Sequence, residues 1–377
     1  MAHFVPFHFL HLGTMDFVLR SPELLREVWV FQGGHYSDML PFLHLEAIHR
    51  PILHYAIRTG TANLDLDPLH HLLTAWYAAY GVDRLPRLIR SMPHMKAIVL
   101  CDAAAFGNVA VLDSLNRLDP LHTYVKDEHV GLAAANGHID VLRYLNDCPF
   151  GWTTKIMDYA ATYGELDTVR WLHEHRAEGC SLDAMNHASN NGHLPVVEFL
   201  HLHRPEGCNS HAMDLAASNG HLQVVQWLHA HRTEGCTFKA MEWAASNGHL
   251  EVVQWLHAHQ HGVHNTPKAM MLAAKFGHEH VVLYLYDHHD DEPMRRSAIA
   301  YSVMNEAAKA HHDEIVRAMW LQTNFQSSDL LRRAKAAGHV DFIKWLRQDT
   351  VREQANATNM TIIDISNVHV DQATAAP

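Results

Sequence analysis

Small apolar pairs followed by an aliphatic cluster recur along the chain at a nearly fixed interval. The segments AASNGHLQVVQWL (216–228) and AASNGHLEVVQWL (244–256) differ at one position, and seven further segments keep the frame. The fifth positions of the nine are Gly107, Gly137, Gly164, Gly192, Gly220, Gly248, Gly277, His311 and Gly338, separated by 30, 27, 28, 28, 28, 29, 34 and 27 residues. A fixed period of this length is the mark of a stacked repeat. A further, degenerate unit is expected around Gly81, in YAAYGVDRLPRLI, and Gly60 marks a fainter trace of another.

Each unit predicts two short helices. In the best copy Met241, Ala244 and Ala245 keep the i, i+3, i+4 spacing of one buried helix face. Thr237 is placed to cap that helix, with Thr153, Ser181, Asn209 and Thr266 in the equivalent positions, all residue types whose side-chain oxygens can satisfy first-turn N–H groups. Pro267 fits the first helical position. Asn247-Gly248 then breaks the helix, glycine supplying a left-handed turn, and a second helix from about Leu250 turns Val252, Val253 and Leu256 inward. One unit cannot bury its own face, so the expectation is an all-α solenoid of stacked helix-turn-helix repeats.

The pattern A-A-x-x-G-H-L-x-V-V-x-x-L over roughly 97–347 resembles the ankyrin repeat. It departs from that family in period, about 28 residues against about 33. It also lacks the Thr-Pro-Leu-His signature, with Met241 and Glu242 standing where its Leu and His would fall. The shortened form is similar to the ankyrin arrays expanded in oomycetes, including a recurring E-G-C segment. The missing residues fall where ankyrins project a β-hairpin finger, so short turns are expected there, as at 233–236. The resemblance implies recognition of proteins on a concave side.

The frame divides the chain into an N-terminal helical cap (1–50), degenerate helical repeats (51–96), the array of about nine units (97–348) and a polar, Ala/Thr/Asn-rich tail (349–377) expected to be disordered. SPELLREVWVF (21–31) has amphipathic spacing and faintly resembles the opening of an F-box. That leaves a second function class open: a ubiquitin-ligase substrate receptor whose array chooses the target.

The formal charge of −12 offers no basic surplus for a nucleic-acid backbone. No apolar run approaches the roughly 18 residues of a membrane helix. Five cysteines cannot all pair internally, which suits a reducing, intracellular setting, and a cytoplasmic location is expected. The 36 histidines include H-x-H pairs once per repeat (173/175, 201/203, 229/231, 257/259), followed by Cys180, Cys208 and Cys236. Residues two apart on a helix diverge by roughly 200°, and equivalent residues of adjacent repeats lie roughly 8–10 Å apart. Shared metal coordination is therefore disfavoured, His257 with His261 being the weak exception, and no cofactor is expected. The histidines after the turn glycine, and the aromatics Tyr144, Trp171, Phe199, Trp227, Trp255, Tyr284 and Trp345, read as packing groups. No phosphate loop, G-x-S-x-G or H-E-x-x-H motif occurs, so no enzyme is expected.

Variable positions within a constant frame point to the binding surface. The residues two before and one after the conserved Met should face away from the core: Lys155/Asp158, Asp183/Asn186, His211/Asp214, Lys239/Glu242 and Lys268/Met271. Their mixed, largely acidic row predicts a protein partner with basic patches, bound by a monomeric, non-catalytic scaffold.

Overall fold

A computed structural model describes residues 31–32, 35–36, 38–42, 67–148, 150–259, 266–288, 293–323 and 325–348. The chain divides into two compact units, Met1–Ala184 and Met185–Pro377. In the first, β1 (Phe31–Gln32) pairs antiparallel with β2 (His35–Tyr36). A 3-10 turn at 38–42 then buries Met39 and Phe42 completely. Phe42 meets Trp76 edge-on at 5.8 Å, and Arg84 donates from Nε and Nη2 to the two Asp38 oxygens at 3.1 Å.

The helices of the first unit are α1 (Asp67–Tyr80), α2 (Leu85–Ser91), α3 (Met95–Ala105), α4 (Val109–Leu118), α5 (Asp127–Ala135), α6 (Ile139–Asn146), α7 (Lys155–Thr162) and α8 (Leu166–His175). The unit boundary falls within α9 (Leu182–Asn190). The second unit continues with α10 (Leu194–His203), α11 (Ser210–Ser218), α12 (Leu222–His231), α13 (Phe238–Ser246), α14 (Leu250–His259), α15 (Thr266–Phe276), α16 (Glu279–Asp287), α17 (Pro293–Lys309), α18 (Asp313–Thr323), α19 (Ser327–Ala337) and α20 (340–348). The repeats are helix pairs throughout, the expected all-α solenoid. The segments 176–181, 204–209 and 232–237 between them are short turns without strands. Residues 21–30 and the tail from 349 lie outside the described residues, and Phe31 stands in β1.

Helices of eight to eleven residues are marginal alone in water, so burial between neighbours must hold them. Within the second unit α11, α13, α15 and α17 pack in succession. Ala240, Met241, Ala244, Ala245, Val253 and Leu256 are fully buried. Alanine pairs let the helix axes approach, while Met and the aliphatic triplet fill the space between layers. Two capping expectations shift. Thr153 lies one residue outside the cap of α7, which is Thr154, and Thr266 opens α15 itself, making Pro267 the second helical residue.

The Gly-His pair has a cause that spans two repeats. Gly220 has φ +78°, and a Cβ there would fall 2.6 Å from Nδ1 of His249, one repeat later; Gly192 stands in the same relation to His221, and Gly248 to His278 at 2.5 Å. The His278 ring then donates from Nε2 to the Ser246 carbonyl at 2.9 Å, as His138 does to Ala105 at 2.7 Å. The glycine is needed for its dihedral and for the room it leaves the next imidazole. Where Asn108 replaces that histidine, Gly81 has open space around it. His311, in the same turn position, takes φ 62°, the one positive φ outside glycine among the described residues.

Candidate protein-recognition surface

The outward positions of the first helices split into two groups. Lys155, Asp183, His211 and Lys268 are exposed, and Lys239 is half-buried. The residues one after the Met do not all face out as expected. Asp214 has 0% exposure and Asn186 5%, and Asp158 is half-buried. The reason is a hydrogen-bond relay between repeats. Asp214 accepts from the Thr237 backbone N–H and from its hydroxyl, both at 2.7 Å. The Thr237 oxygen in turn accepts from Lys239 N–H at 3.1 Å, capping α13. Asp158 binds Ser181 in the same way, at 2.7 and 2.8 Å, while Ser181 caps Asp183. Asn186 accepts from Asn209 N–H at 3.4 Å and Asn209 caps His211. These groups orient the next cap, and Asp214 and Asn186 are buried away from a partner in this arrangement.

The charge of the row changes accordingly. Over α11, α13 and α15 the surface charges are Lys239, Lys268 and Lys275 against Glu242 alone, because Asp214 is internal. Of the row's carboxylates Asp214 is buried, Asp158 and Glu242 are half-buried and Asp183 is exposed. Glu242 and Met271 hold the same register position as Asp214 and are half-buried. Sequence reasoning missed Leu215, Trp243 and Leu272, also half-buried. They lie four residues after His211, Lys239 and Lys268, so helical periodicity alone could have placed them on the same stripe. The Lys239 ammonium stands 5.4 Å from the Trp243 ring centroid.

On the second helices the histidines have a packing role. His231 stacks on Trp227 at 4.4 Å and meets its carbonyl through Nδ1 at 2.9 Å; His259 does the same on Trp255. His201 and His229 reach the other way, edge-on to the Trp of the following repeat at 5.1 Å. The two members of each H-x-H pair therefore diverge, as the helical angle required. Non-equivalent rings such as His201 and His231 do approach to 6.2 Å, a pairing that comparison of equivalent positions alone does not reveal. Among the described residues no group of three or more His, Cys, Asp or Glu could hold a metal, and His261 lies outside them.

The E-G-C turns hold an Arg–Glu clasp. Arg176 donates to Glu178 at 3.1 and 2.6 Å, and Arg232 to Glu234 through the same two nitrogens. The arginine hydrogen bond holds the Glu178 and Glu234 carboxyls below the usual range. None of the five cysteines is in a disulfide. Burial, with the Asp214 charge secondary, pushes the Cys236 thiol up to about 11. In the first unit Thr74 Oγ1, His70 and Asp102 form a chain at 3.4 and 3.1 Å. Burial raises the Asp102 carboxyl, His70 partly opposing it. The His70 ring stacks on Phe106 at 3.7 Å, so this chain ties α1 to α3.

The family model for ankyrin repeats matches the chain in three copies, at residues 156–241, 184–269 and 241–329. The chain is an ankyrin-repeat protein. No curated protein sequence matches it. The helix pairs before residue 156 carry the same glycine turn and buried alanine pairs, at Gly107 and Gly137. Ankyrin repeats are protein–protein interaction modules and are generally not catalytic. No helix among the described residues is long and apolar enough to cross a membrane. The F-box-like reading draws on residues 21–31, of which Phe31 alone is described.

Proposed function

We propose that this ankyrin-repeat protein is a non-catalytic scaffold that holds a protein partner on the outward stripe of its first helices. In the second unit the stripe runs through His211, Lys239, Glu242, Lys268 and Met271; in the first unit Lys155 and Asp183 hold the equivalent positions. The observation that carries the reading is the contrast between frame and stripe. Met, Ala-Ala, Gly and the relay residues are fixed by burial and hydrogen bonding, while the stripe residues change chemistry from repeat to repeat. Cysteines outside any disulfide favour a reducing compartment for this binding.

The test is capture of partners on the full chain from its native cell, compared with chains altered on the stripe or on the second helices. Trp243→Ser with Lys268→Ser should remove specific partners, whereas Gln226→Ala with Gln254→Ala, exposed on α12 and α14, should retain them. The reverse pattern would move the binding surface to the second helices.

A further inference from the structure

We infer that His201 is an acid-sensitive joint between two repeats of the second unit: protonating its ring breaks the hydrogen bond from Arg232 that ties the turn at 232–237 to α10. The hold is complete while the ring is neutral and is lost as pH falls through the ordinary imidazole range. That partner binding weakens with it rests on the reading of the first helices as the recognition face, since this turn leads into the Thr237 cap of α13.

Geometry fixes where each ring carries its hydrogen. Arg232 Nη1 stands 3.3 Å from Nδ1 of His201. A guanidinium has donors and no acceptor, so the bond requires that Nδ1 to be bare. His231, whose ring centroid lies 6.2 Å from that of His201, is the opposite case. Its Nδ1 faces the Trp227 carbonyl at 2.9 Å, so it carries the hydrogen, and a second proton on the ring leaves that bond in place. Of these two neighbouring imidazoles, protonation breaks a bond at His201 alone. The first unit fills the same position with a group that does not titrate. Asn146 stands in α6 where His201 stands in α10, each at the same interval after its turn histidine, His138 or His193. The Asn146 amide oxygen accepts from Nη1 of Arg176 at 3.4 Å. The position thus presents an acceptor to the arginine of the next turn, and His201 makes that acceptor sensitive to acid.

The arginine is seated to make this contact. Gly207 has φ +71°, and a Cβ there would fall 2.7 Å from Arg232 Nη2. The Cys208 thiol also meets the guanidinium. Nε and Nη2 of Arg232 bind Glu234, while Nη1 reaches back to His201, so one side chain joins its own turn to the preceding repeat. Trp227 meets the His201 ring edge-on at 5.1 Å. A proton on His201 sets a second cation against Arg232. Glu234 stays with the arginine, whose hydrogen bond holds its carboxyl below the usual range. On α10 itself Glu198 stands one turn before His201 and His203 stacks on Phe199. Arg204, one turn after His201, donates from Nε to Glu206 at 3.2 Å.

The experiment is hydrogen exchange of the full chain at about pH 7.5 and about pH 5.5, either side of the ordinary imidazole value, corrected for the intrinsic pH dependence of exchange. It compares the native chain with His201→Asn and Arg232→Gln. On acidification the native chain should lose protection over 232–239 by about fivefold, the size of one net hydrogen bond. His201→Asn, which supplies the acceptor found in α6, should keep its protection at both values. Arg232→Gln should exchange faster than the native chain near neutrality and respond little to acid. Nitrogen NMR of the His201 ring at about pH 7.5 should find the hydrogen on Nε2. An equal acid response in the native chain and His201→Asn, no acid response over 232–239, or a hydrogen on Nδ1 would overturn the joint. Should circular dichroism show that His201→Asn loses its helices, the ring tautomer and the Arg232→Gln comparison still decide. None of these readouts uses a partner, so a negative result leaves the recognition face standing.

Discussion

At the scale of single residues, the ankyrin frame is set by a few dihedrals and close approaches. The turn closing α17 needs a left-handed residue, and His311 fills it at φ 62°. A Cβ in that region costs about 1–2 kcal/mol. His311→Gly should therefore raise stability by about 1 kcal/mol, partly offset by glycine's larger unfolded-state entropy; a lower midpoint in urea unfolding would contradict this. The thiols offer a pH test. Cys236 is pushed up to about 11 by burial. A raised folded-state value means that the stabilisation is complete below the ordinary thiol value near 9 and is lost as pH rises through about 11. Native Cys236 should resist iodoacetamide near neutral pH, react as the pH approaches 11, and react at once when the chain is unfolded. Rapid native labelling at about pH 7.5, well below that titration, would show that the thiol is not held neutral.

At the scale of elements, each first helix is oriented by the one before it. Asp214 accepts two hydrogen bonds from Thr237, and Thr237 caps α13. Removing either partner leaves a buried polar group unsatisfied, which costs about 1–3 kcal/mol. A cycle of Asp214→Ala, Thr237→Ala and the double variant should give a coupling of about 1–3 kcal/mol; additive effects would show that the helices are held by apolar packing alone. The helix pairs, their glycine breaks and the stacking were legible in the sequence because burial repeats at fixed spacing. The relay was not. At the position after the Met, Asp158, Asn186 and Asp214 change identity like surface residues, but they change among hydrogen-bonding types that serve the same N–H. Helical angle alone put them outside the core; the N-terminus of the neighbouring repeat, distant in sequence by 23 residues, covers them. Leu215, Trp243 and Leu272 were legible by the i, i+4 rule from the lysine or histidine before them.

At the scale of the whole molecule, an acidic chain carries its lysines in α13 and α15 on the first-helix stripe and its carboxylates in α14 and α16 on the second helices. Structural histidines, stacked on the aromatic of their own helix or seated under a turn glycine, account for much of the unusual composition without any metal. The stripe is then one surface that varies from repeat to repeat, as Pro195, Gln223, Glu251 and His280 also do on the second helices. The most direct measurement is hydrogen exchange of the full chain with and without a captured partner. The account predicts slowed exchange in 210–218, 238–246 and 266–276, with 222–231 and 250–259 unchanged. Protection confined to the second helices would contradict it.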